Sequence, residues 1–254
     1  MRRDFSDVTG PGGANPARVV AAVRAALAAE PRIGLPRHPL ALAFEGGVLT
    51  MEGELETVAA KKLALERGAA ARGVHHVVDR LRVEPARRMG DAAIRDHVCA
   101  LLLEEPALGG VAVAARAGAE QRVLREPVAA AVAAAIEVEV AGGVVTLNGE
   151  VPSLTHKRMA GVLAWWVPGT RDVVNGLEVV PGEEDSEGEI CDAVRMALEK
   201  DPLVDAGQLQ VTSRGSAVTL TGVVPSWAQR LIAERDAWLV FGVDEVLNRI
   251  AVRA

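Results

Sequence analysis

Tyrosine is missing from the 254 residues, Phe occurs three times and Trp four, so aromatics make up only 3% of the chain. That excludes one large core built around aromatic rings and implies small modules packed from Ala, Val, Leu and Ile. Cysteine is nearly absent as well. Cys99 and Cys191 lie in separate segments, which argues against a disulfide framework or a cysteine-based metal site. Each adjoins an apolar helix position and reads as a semi-buried, inert thiol. No apolar run approaches the roughly 20 residues that span a bilayer, and the opening Met1-Arg-Arg-Asp-Phe-Ser-Asp-Val-Thr-Gly lacks a secretory leader's apolar stretch. A cytoplasmic protein is expected on that ground, or a periplasmic one if the true start lies upstream.

What is present is 50% hydrophobic and 24% charged residues, the composition of a globular protein. The charge is uneven. Residues 1–89 carry 14 Lys and Arg against 10 Asp and Glu, residues 90–181 carry 7 against 11, and residues 182–254 carry 7 against 13. An acidic chain without clustered Lys and Arg cannot neutralise many phosphates, so no nucleic-acid partner is expected. Attraction to an anionic surface should come from the front.

The chain repeats itself three times. Gly47-Val-Leu-Thr-Met-Glu-Gly53 returns as Gly143-Val-Val-Thr-Leu-Asn-Gly149 and as Ser216-Ala-Val-Thr-Leu-Thr-Gly222. Counted from Gly53, Gly149 and Gly222, a hydroxyl residue follows at the fourth place (Thr57, Ser153, Ser226). A base follows at the eighth (Lys61, Lys157, Arg230) and Gly at the twentieth (Gly73, Gly169, Gly242). Val77-Val78-Asp79, Val173-Val174-Asn175 and Val246-Leu247-Asn248 come next. Upstream stand apolar triads spaced by four, namely Val19, Val23, Leu27, then Ile94, Val98, Leu102, then Ile190, Val194, Leu198. Each triad ends before an acid-Pro pair, Glu30-Pro31, Glu105-Pro106 or Asp201-Pro202. That stripe is one face of a helix, and Pro stops it.

Each repeat therefore reads as helix, strand, strand, helix, strand. Leu40-Leu42-Phe44, Ile136-Val138-Val140 and Leu209-Val211 alternate as strands, and a Gly-containing turn leads into the next. The hydroxyls Thr57, Ser153 and Ser226 are placed to cap the second helix, and Gly73, Gly169 and Gly242 to end it. A right-handed crossover would set the last strand parallel to the second. The expected fold is α+β: three tandem small modules, each a three-stranded mixed sheet packed against two helices. The boundaries are 1–16 for a flexible N-terminus, then 17–85, 90–181 and 186–254. The second module holds an insertion at about 114–135, as helix extension or loop. Glu126-Pro127 is the competing position for its acid-Pro pair, and Pro106 is preferred because the triad before it is complete.

The strand end Val145-Thr-Leu-Asn-Gly149, Ser153 and the stretch Gly169 to Asn175, with Val218 to Gly222, Ser226 and Gly242 to Asn248, resemble the BON domain family. The first repeat departs at Met51 and Asp79. The resemblance implies the helix-strand-strand-helix-strand fold and a binding role at phospholipid surfaces or envelope components, in osmotic or envelope stress. It implies no catalysis and no cofactor. Some relatives are periplasmic and others cytoplasmic, one type binding potassium, so an ion or small-ligand sensor and a protein-protein module are the alternatives.

The repeated Gly, Thr, Ser and Asn positions have structural reasons: positive φ, capping and local backbone bonding. His38, His75, His76, His97 and His156 share no aligned position, and no metal-ligand spacing or catalytic constellation stands out. Contact residues are sought instead in Trp165, Trp238 and Trp227. The first two should flank a core stripe of Met159, Ala160, Ala164, Val167 and Ile232, Ala233, Ala237, Val240. There they would either seal contacts between repeats or anchor lipid or a partner. Lys61 and Lys62 are the electrostatic candidates for an anionic surface, if they are not simply a solvated face. Self-association through open sheet edges is a further expectation.

Overall fold

The computed structural model describes residues 15–126, 134–182 and 187–253, and divides into two units, Met1–Arg82 and Val83–Ala254. The expected flexible segment 1–16 falls almost wholly outside the described residues.

In the first unit α1 (Pro16–Ala28) starts at Asn15, whose side chain accepts from the amides of Ala17 and Arg18, and buries Val19, Val23 and Leu27. It stops because Pro31 opens a short 3-10 turn, and the Glu30 carboxylate accepts from the Arg32 amide there. β1 (Ala41–Glu45) and β2 (Val48–Leu55) then form an antiparallel hairpin. α2 (Val58–Ala69) begins where Thr57 Oγ1 accepts from the Ala60 amide at 3.1 Å. β3 (His76–Val83) completes the sheet, in the order β1-β2-β3. Leu49 and Met51 of β2 are fully buried under the helices while Thr50 between them faces away, the period-two pattern of a sheet covered on one side.

The second unit repeats this twice. Its first half has α3 (Asp91–Glu104), a 3-10 turn at Pro106–Leu108, β6 (Ala135–Ala141), β7 (Val144–Val151), α4 (Leu154–Trp166), and a closing strand in two pieces, β8 (Asp172–Asn175) and β9 (Glu178–Val179). Between turn and β6 lie β4 (Ala112–Ala117) and β5 (Glu120–Arg125). The second half has α5 (Glu187–Lys200), β10 (Leu209–Arg214), β11 (Ala217–Val224), α6 (Trp227–Leu239) and β12 (Glu245–Val252). β8, β9 and β12 run parallel to their neighbours β7 and β11.

The insertion is the main departure from the sequence expectation. It is a hairpin, begun at Ala112, that widens the middle sheet to the order β5-β4-β6-β7-β8, with β9 also on β7. β4 runs parallel to β6, and its buried Val113 and Ala115 alternate with half-exposed neighbours. Residues 127–133 of the expected insertion lie outside the described residues. Pro106 occupies the place that Pro31 holds in the first module, with Glu105 accepting from the Ala107 amide at 2.9 Å.

One expectation about local geometry changes. Gly73, Gly169 and Gly242 do not end the second helices. Those end at Ala69, Trp166 and Leu239, and the glycines sit beyond, in the turn into the closing strand. Gly53, Gly149 and Gly222 lie inside β2, β7 and β11 with φ of 147°, 123° and 129°. A Cβ at Gly149 or Gly222 would overlap the carbonyl of Ala135 or Gln208, so the three share one role, passing the start of the hairpin's first strand at close range.

Candidate functional site

The repeated base and the repeated Asn or Asp meet. Asn175 Nδ2 donates to the Lys157 carbonyl at 2.8 Å, and Asn248 Nδ2 to the Arg230 carbonyl at 3.0 Å. Asp79 has no N–H to give, and in its module Lys61 Nζ reaches the Asp79 carboxylate at 2.9 Å and the Leu81 carbonyl at 3.1 Å. In all three the same side chain accepts from the amide two residues on, that of Leu81, Leu177 or Ile250. The motif locks the closing strand to the second helix. Lys61, 6% exposed, is thus a buried tie and not a contact for an anionic surface, which corrects the sequence reading. Lys62 is half-buried.

Ser153 and Ser226 accept from the amides of His156 and Gln229, each at 3.3 Å. With Thr57 they are helix caps, so the repeated polar positions build the scaffold.

The tryptophans part company. Trp238 is 1% exposed, so it lies in the interior and is not a surface anchor for lipid or a partner. Trp165 and Trp166 are half-buried, and Trp166 packs on the middle core. Trp227 is 63% exposed, with the Arg230 guanidinium 5.0 Å above its ring. Of the expected stripe, Ala233, Ala237 and Val240 are buried, whereas Ile232 is only half-buried.

A surface that the sequence reading did not single out recurs in every module. On the uncovered sheet face, Thr146 stands opposite Val174 and Thr219 opposite Leu247, with Thr50 and Val78 at the aligned positions. Val78, Val174 and Leu247 are all exposed. Three outward aliphatics at one register position are its signal, visible in the repeated Val-Val, Val-Val and Val-Leu pairs of which only one member can face inward.

The buried charges were also not legible. Arg158 is 1% exposed and its Nε donates to the Phe241 carbonyl at 3.1 Å, while Lys157 Nζ lies 5.0 Å over the Phe241 ring. Asp236, fully buried, has its acidity weakened by burial to a pKa of about 7, with Asp201 sharing a hydrogen bond with it and Arg235 opposing. The Arg32 guanidinium holds Glu30 down at about 2. Burial raises the Cys99 thiol to about 11, so this cysteine is no nucleophile. Among the described residues no group of His, Cys, Asp and Glu could hold a metal ion, and no helix is long and apolar enough to cross a membrane.

The family model of the BON domain matches residues 16–85, 90–181 and 186–254. No curated protein matches the chain. Among solved structures, the chain is similar to the C-terminal domain of CdsD, the structural protein of the Type III secretion system of Chlamydia trachomatis, at 14% identity. That match has a TM-score of 0.25 and covers 95% of this chain and all of that one. A second CdsD structure gives 14% identity, a TM-score of 0.24, and coverage of 93% and 92%. At these values the likeness carries no statement about this chain's arrangement or role.

Proposed function

Because the chain belongs to the BON domain family through three successive regions, we propose that it is a non-enzymatic scaffold that binds phospholipid surfaces through several modules at once, under osmotic or envelope stress. The observation that carries this reading is the recurrence of the exposed aliphatic beside a threonine on the uncovered face of all three sheets, Val78, Val174 and Leu247. One such residue is an ordinary feature of a protein surface. Three at one register position give equivalent weak contacts, and linked weak contacts bind a continuous surface far better than any one alone.

A phospholipid surface suits this arrangement because it presents many identical sites without a fixed spacing. The repeated polar residues serve as helix caps and strand ties. Co-sedimentation of the full chain with neutral and with anionic vesicles tests the proposal. Pelleting with either supports it, and no pelleting with both sinks it.

A further inference from the structure

The insertion hairpin gives the middle sheet a trough. On its uncovered face a cavity of about 420 Å³ is floored by the small side chains of Ala112 and Ala114 from β4 and Ala135 from β6, and walled by Val123 of β5 and Asn148 of β7. It crosses four adjacent strands, β5-β4-β6-β7, a width of roughly 14 Å at about 4.8 Å between neighbours. The three-stranded sheets of the first and third modules have no counterpart of β4 and β5 among the described residues. A concave site of this size, apolar at its base with a few polar groups around it, has the character of a small-molecule pocket.

Strand register places the charges around it. Ala112 pairs with Ala135, Ala135 with Glu150, and Glu150 with Glu178 of β9, so these four side chains stand in one row on one face. Glu126 follows Arg125, the partner of Val113, and lines the trough on the far side of Ala112. The row therefore runs acid, alanine, alanine, acid, acid, with no Lys or Arg in it. Glu126, Glu150 and Glu178 are exposed, and among the described residues no cation holds their carboxylates. Glu137, also in the trough, differs: Arg116 donates to it at 2.6 and 2.8 Å and Gln121 at 2.7 Å. Glu150 and Glu178, being like charges side by side, repel each other, and a cation between them relieves that repulsion.

We propose that the trough binds a linear aliphatic chain bearing a cationic nitrogen at each end, a diamine or polyamine. One ammonium meets Glu126, the other meets Glu150 and Glu178, and the methylenes between them lie over Ala112 and Ala135. Charge complementarity selects this class. A dianion of the same length meets like charge at both ends, and a monoamine satisfies only one of them. The site is independent of the phospholipid reading, because Val174, the exposed aliphatic of this module, does not line the trough.

Isothermal titration calorimetry of the full chain with 1,8-diaminooctane at low salt tests this. One site per chain is expected, and its affinity should fall as salt is added. Octane-1,8-dioate should not bind, and octylamine should bind about fivefold more weakly than the diamine. Glu126→Gln, and separately the pair Glu150→Gln with Glu178→Gln, should each lower the diamine's affinity about threefold or more. Ala112→Leu, which fills the floor, should abolish binding while circular dichroism stays unchanged. No saturable binding of the diamine to the parent up to about 10 mM overturns the proposal. So does equal affinity for diamine and octylamine, or for diamine and dioate, and so does undiminished binding in the glutamine variants.

Discussion

Lys200, the last residue of α5, donates to Glu105 at 2.8 and 2.9 Å, and the same Glu105 carboxylate caps the 3-10 turn after α3. One side chain thus ends a helix in its own module and fastens the next. Glu30 and Asp201 hold the same place in the other two modules and meet arginines instead, Arg32 and Arg67 for the first and Arg235 for the second.

Lys200→Met is expected to destabilise the second unit by about 1–2 kcal/mol, because the nearly buried Glu105 loses its cation. Glu105→Ala should cost more, since the cap is lost with the ion pair. Urea denaturation of the full chain measures both. Equal stability of Lys200→Met and parent would show that the ion pair contributes nothing to docking.

The strand tie predicts a rescue. Lys61→Met leaves Asp79 facing the second helix without its cation and should lower the first module's stability by about 1–2 kcal/mol. Adding Asp79→Asn supplies the amide that Asn175 and Asn248 use on their helix carbonyls, and should recover most of the loss. A double variant no more stable than the single one, by thermal melting, contradicts the equivalence of the three ties.

The two glycine classes should separate. Gly149→Ala and Gly222→Ala place a Cβ against a backbone carbonyl at φ of 123° and 129° and are expected to cost roughly 3 kcal/mol or more. Gly142→Ala and Gly215→Ala lie at φ of 59° and 57° with nothing near the added atom, and should cost about 1 kcal/mol. Similar losses at all four would deny the close strand approach.

Asp236 gives the chain a pH dependence of definite sign. Its folded-state pKa is raised from 3.8 to about 7, chiefly by burial. Its protonated form is therefore favoured in the fold, and that contribution to stability is complete below about pH 4 and is lost as pH rises through 7. Asp236→Asn removes the penalty, so it should raise the melting temperature more at pH 8 than at pH 5. The opposite ordering would mean that the carboxylate is stabilised as the anion.

The fold was legible because each element carried its own physical marker in three versions: a triad at helical spacing, a hydroxyl at the helix start, a Pro that no helix can continue through. The insertion was not, because Val111 to Ala115 alternates for too few residues, and in Ala and Val, to separate strand from helix. Trp238 was misplaced because it stands one step off the apolar stripe of its own helix, and its burial arises from tertiary packing that helical spacing does not reveal. Lys61 looked solvated for the same kind of reason: only the fold brings Asp79 and the Leu81 carbonyl to its ammonium. The exposed aliphatics were present in the repeated pairs, but which member faces out depends on which sheet face the helices cover.

The most direct measurement is vesicle co-sedimentation of a graded series, Val78→Glu, then with Val174→Glu, then with Leu247→Glu. Linked, equivalent contacts predict that apparent affinity falls at each step, by about tenfold or more per module lost, while circular dichroism stays unchanged. A triple variant that pellets as well as the parent would contradict the account.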